Sequence, residues 1–97
     1  MNKLTAMTRA LTHYGFLCDV HVTDDPYQED HEIVIAPNIY VQVPSVGDAP
    51  YLLWFIDNGI HSMMTENTDA HQLARQLYNL TKESKHYSPA GGVKHGK

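Results

Sequence analysis

A single cysteine, Cys18, stands alone in a chain of 97 residues, so no internal disulfide can staple it. A small core without such a staple must stabilise itself, as proteins of reducing compartments do. No apolar run approaches the roughly eighteen residues needed to cross a bilayer. Lys3 and Arg9 lie inside an amphipathic pattern, not ahead of an apolar block. No secretory leader is expected, and the reading is a cytoplasmic chain with no membrane partner. Motifs of specific chemical meaning are missing too: there is no H-E-x-x-H, no C-x-x-C and no EF-hand loop. The acidic stretch 24–32 has no glycine for the sharp turn that an EF-hand requires. The one glycine pair, Gly91-Gly92, follows no strand, so no phosphate cradle is indicated.

The largest absence is of positive charge. From Ala10 to Ala74 there is no Lys or Arg, while the same stretch holds ten of the eleven acids. The formal charge of -4 therefore divides unevenly. Residues 1–84 carry four basic and eleven acidic side chains, a net of -7, and residues 85–97 carry three lysines and no acid, a net of +3. We expect one acidic domain over 1–84 and a basic, disordered tail over 85–97, since Ser88-Pro89-Ala90-Gly91-Gly92 has no apolar period. A mass of 11.0 kDa supports one modest core, with about 65% of the unfolded surface buried.

Apolar spacing supplies the elements. Leu4, Met7, Leu11 and Tyr14 recur at helical intervals and Gly15 follows as a stop, which predicts a helix over 3–14. Phe16, Cys18, Val20 and Val22 alternate with Leu17, Asp19, His21 and Thr23, which predicts a half-buried strand. Two strands are expected around Pro37-Asn38 within 31–43. Tyr51 to Asp57 and Ile60 to Met64 flank Asn58-Gly59, a strong hairpin signal. Ala70, Leu73, Ala74, Leu77 and Leu80 predict a second helix over 69–83.

The resulting fold class is α+β: a helix, a four- to five-stranded mostly antiparallel sheet, and a helix, with both helices on one sheet face. The other face would show Leu17, Asp19, His21, Tyr40 and Gln42, with either Tyr51/Leu53/Phe55 or Leu52/Trp54/Ile56. Alternation alone does not choose between those sets. If the uncovered set includes Trp54, a partner or a second copy of the chain is expected to cover it.

Three functional readings compete. In the leading one the chain is a non-enzymatic binding protein, without cofactor or metal, whose carboxylates dock on a basic, nucleic-acid-binding groove of a partner protein. Its candidate contacts are Asp24, Asp25, Tyr27, Glu29, Asp30, Glu32 and Trp54. Asp30 and Glu32, two apart on a strand, would project about 6.6 Å apart, against about 3.4 Å per phosphate along one DNA strand. Tyr27, Tyr40 or Trp54 would serve as buried aromatic anchors. The second reading is a small structural or regulatory subunit that dimerises through the open sheet face. The third is a metal-binding sensor or enzyme using His21, His31 and the nearby acids. Cys18 reads as a packed core thiol, because His21 falls on the opposite face of its strand.

The helix–strands–helix order resembles the double-stranded-RNA-binding domain. That domain needs lysines at the start of its second helix, where this chain has Thr68-Asp69-Ala70-His71-Gln72, so direct nucleic-acid binding is not expected. In size, charge segregation and layout across the whole chain, the sequence resembles small acidic phage and prophage proteins of the anti-CRISPR kind. That resemblance implies a stoichiometric inhibitor that occupies a nucleic-acid-binding surface of a CRISPR effector, by mimicry or steric block. Anti-CRISPR families share no signature motif, so the resemblance transfers no residue roles.

Overall fold

The structure is a computed structural model that describes residues 2–22, 30–45 and 47–83. It begins with helix α1 (Lys3–His13). The side chain of Asn2 caps this helix by accepting the Thr5 N–H at 2.7 Å, satisfying one of the donors every helix start leaves open. Met7 and Leu11 are fully buried and Leu4 packs beside them, the stripe that the spacing predicts. At its other end Gly15 takes φ 88°. The Phe16 N–H then reaches Leu11 O at 3.0 Å and the Gly15 N–H reaches Thr12 O at 2.9 Å. This paired closure requires a left-handed residue, which glycine supplies without strain.

Five strands follow: β1 (Asp19–Val22), β2 (His31–Ala36), β3 (Ile39–Val43), β4 (Tyr51–Asp57) and β5 (Ile60–Asn67). Each pairs antiparallel with its sequence neighbour, so the sheet order is β1-β2-β3-β4-β5. Asn58 and Gly59, with φ 52° and 77°, join β4 to β5, as a tight turn matching strand twist requires. Helix α2 (Ala70–Glu83) follows β5. Asp69 caps it, its Oδ1 accepting the Gln72 N–H at 3.1 Å.

The helices pack against each other and on one face of the sheet. Between them lies a single core: Met7 and Leu11 from α1, Leu73 and Leu77 from α2, and Ile33, Ile35, Val41, Tyr51 and Leu53 from the strands. Tyr51 ties the layers together by donating its hydroxyl to Lys3 O at 3.0 Å. The α+β architecture with both helices on one face is therefore as the sequence predicts.

Two boundaries and one burial pattern differ. The first strand does not begin near Phe16, because that residue is buried and bonded to the end of α1. Nor is this strand half-buried: β1 is an edge strand and all four of its residues are exposed. Strand β5 runs past Met64 to Asn67, since Thr65, Glu66 and Asn67 pair with Leu53, Leu52 and Tyr51.

Candidate functional site

A strand exposes successive side chains on opposite faces, and the observed register assigns them. Tyr51 and Leu53 are buried under the helices, so Leu52, Trp54 and Ile56 point away from them. Among the described residues, the face left uncovered by the helices thus includes Trp54. Two rows cross it, each running perpendicular to the strands. One is His21–Glu32–Gln42–Leu52–Glu66, and the other is Asp19–Val34–Tyr40–Trp54–Met63. A bulge beside Trp54 inserts one residue into β5, placing Met63 opposite Trp54 and Met64 out of the pairing. Ile56 and His61 begin a third row.

The centre of this face is aromatic and internally bonded. The rings of Tyr40 and Trp54 lie parallel within 6°, with centroids 6.1 Å apart. Trp54 Nε1 donates to Gln42 Oε1 at 3.0 Å. Gln42 Nε2 donates to Asp30 Oδ2 at 2.9 Å, and the Ser45 N–H donates to Asp30 Oδ1 at 3.2 Å. On the other side the Tyr40 hydroxyl shares a 2.8 Å hydrogen bond with His61 Nδ1. A connected array therefore runs from Asp30 through Gln42, Trp54 and Tyr40 to His61.

The margin is acidic. Asp19, Glu32 and Glu66 are on this face, and no strand of the sheet contains a Lys or Arg. Burial, and then the Glu32 charge, hold the Tyr40 hydroxyl above its usual range. His21 Nε2 lies 3.0 Å from Asp19 Oδ2 at the outer edge, both well exposed. Such a pair contributes little stability.

The sequence candidates divide accordingly. Trp54 and Glu32 are on the open face, both half-buried. Asp30 is not a surface carboxylate: it is only 7% exposed, precedes β2, and uses both oxygens internally. The expected row of Asp30 beside Glu32 is therefore not presented to a partner. Asp24, Asp25, Tyr27 and Glu29 lie outside the described residues. His21 and His31, paired in the metal reading, point to opposite faces: His21 is opposite Glu32, and His31 is opposite the buried Val43. Among the described residues no group of three or more His, Cys, Asp or Glu is placed to hold a metal ion.

The sequence places Gln42 and Asp19 on this face but gives them no contact role, and gives none to His61 or Glu66, because strand register is what brings these residues beside Tyr40 and Trp54. Elsewhere, burial pushes the Cys18 thiol up, away from the thiolate form a nucleophile needs, and a Thr12 hydrogen bond opposes this more weakly. An apolar cleft of about 140 Å³ between the sheet and α2 is lined by Ile39, Leu53, Phe55, Met64, Leu77, Leu80 and Thr81. None of these residues titrates, so the cleft lining offers no acid–base pair. Compared with family models, curated proteins and solved structures, the chain matches none of them.

Proposed function

We propose that this chain is a non-enzymatic binding protein whose acidic sheet face, opposite α1 and α2, occupies a basic, nucleic-acid-binding surface of a partner protein. One observation supports this most: Trp54 and Tyr40 stand together among Asp19, Glu32 and Glu66, on strands devoid of Lys and Arg. Aromatic residues supply contact area at the centre of an interface. Carboxylates around them steer a cationic partner and repel phosphate-bearing ones. Asp24, Asp25, Tyr27 and Glu29 extend the same reading in sequence. A second copy of the chain fits this face less well, since a self-pairing would bring like carboxylates together.

The specific form proposed is a stoichiometric inhibitor of the anti-CRISPR kind, acting by steric block or nucleic-acid mimicry. The test is target-DNA binding by a CRISPR effector at increasing concentrations of the protein. Loss of DNA binding near equimolar protein, restored by Glu32→Lys with Glu66→Lys, is the expected result. DNA binding that persists at saturating protein removes the CRISPR form. The broader reading fails if the double lysine variant retains the wild-type's affinity for whichever basic protein is found to bind the chain.

A further inference from the structure

We infer that the Tyr40–Trp54 pair is a preset platform for arginine side chains of the partner, with Asp30 and Gln42 as positioning residues. This rests on the docking reading above and names the side chain that the docking face selects.

The argument begins with Asp30. Both Asp30 oxygens accept hydrogen bonds, Oδ2 from Gln42 and Oδ1 from the Ser45 N–H. Beside Asp30, the Gln42 amide must therefore turn its Nε2 toward the carboxylate. Its Oε1 is left to face the indole, whose nitrogen only donates. A buried acid thus fixes an amide, and the amide fixes Trp54. The Ser45 N–H holds the acid from behind, and His61 holds Tyr40 from the far side. Rings fixed before contact lose less freedom on binding, which strengthens recognition without adding contacts.

Charge and shape then specify the guest. Glu32 and Glu66 are diagonal neighbours of Tyr40 and Trp54 in the register, at about 7–8 Å between backbones. A guanidinium can lie on an aromatic face while its fork reaches a carboxylate, and it sheds water readily. An ammonium is a compact, strongly hydrated charge that does the first less well and the second without the fork. The chain's own residues 85–97 contain three lysines and no arginine. A face that prefers guanidinium therefore discriminates against them.

Trp54 is the only tryptophan, so its fluorescence reports this site directly. The intact protein is titrated with an oligoarginine peptide and an oligolysine peptide of equal length, at low and at physiological salt. Oligoarginine is expected to bind about three- to five-fold more tightly and to change the Trp54 emission. In Gln42→Leu, checked for a cooperative thermal transition, that preference should fall to parity while the salt dependence stays. Tyr40→Leu, which leaves the Asp30–Gln42–Trp54 bonds in place, should lower the preference as well and serves if Gln42→Leu does not fold. Equal affinity for the two peptides in the wild type overturns the arginine platform but leaves the acidic docking face standing. Binding of neither peptide at low salt overturns both. Sedimentation showing that a second copy already covers Trp54 overturns the platform too.

Discussion

Along β4 the chain lives in two environments at once. Tyr51 and Leu53 go under the helices and are 3% and 1% exposed, whereas Leu52, Trp54 and Ile56 face the other way and remain half-buried. Both sets are apolar enough to form a core. They differ in what surrounds them: packed aliphatic side chains on one side, and hydrogen-bonded aromatics with carboxylates at the margin on the other. The helix-covered face therefore supplies stability, and the opposite face is the one proposed above to meet a partner.

The strongest way to break that contrast is a pair of neighbouring truncations. Leu53→Ala should cost about 2–5 kcal/mol of stability in urea denaturation, and Leu52→Ala about 1 kcal/mol or less. Equal losses would show that the open face is a second core. Next in size is Trp54→Ala, expected to weaken partner binding by about 2 kcal/mol, roughly thirty-fold, by isothermal titration. Leu53→Ala protein that is still folded should bind the partner normally. Third, Glu32→Lys and Glu66→Lys should each reduce affinity about five-fold at low salt, with the effect shrinking as salt rises. Asp48→Lys, in an exposed turn off that face, should change it less.

The smallest effect concerns alkaline pH and compares one tyrosine from each face. Burial is the main cause that raises both Tyr40 and Tyr51, with Glu32 acting on the first and Asp69 on the second. A group whose pKa is raised on folding stabilises the fold below its unfolded value and loses that contribution as pH climbs through the folded one. Thermal midpoints should therefore fall as pH rises beyond about 10, the ordinary tyrosine value. Tyr40→Phe and Tyr51→Phe should each flatten part of that decline.

Much of the fold is legible locally. Gly15 ends α1, Asn58-Gly59 turns the β4–β5 hairpin, and the Leu73–Leu77 spacing marks the buried side of α2, each within a few residues. The choice of open face is not local. Tyr51/Leu53 and Leu52/Trp54 are equally plausible core sets until the helices are placed, and the bulge beside Trp54 then resets which β5 residues oppose them. Asp30 shows the same limit. In sequence it is one carboxylate among several, and only its bonds to Gln42 and Ser45, twelve and fifteen positions away, withdraw it from the surface. A row of acids in sequence is not a row in space.

The order of the sheet has a consequence for how the molecule comes into being. Every strand after β1 partners the one made just before it, so the hairpins can form one after another as the polypeptide is synthesised, at little loop-closure cost. The interior cannot close that early. Leu73 and Leu77 complete the pocket around Met7 and Leu11, and Tyr78 comes to rest 5.3 Å from Tyr14, only once the last helix arrives. Any meander formed before then would leave one apolar side uncovered, since the residues of α2 complete the cover over it.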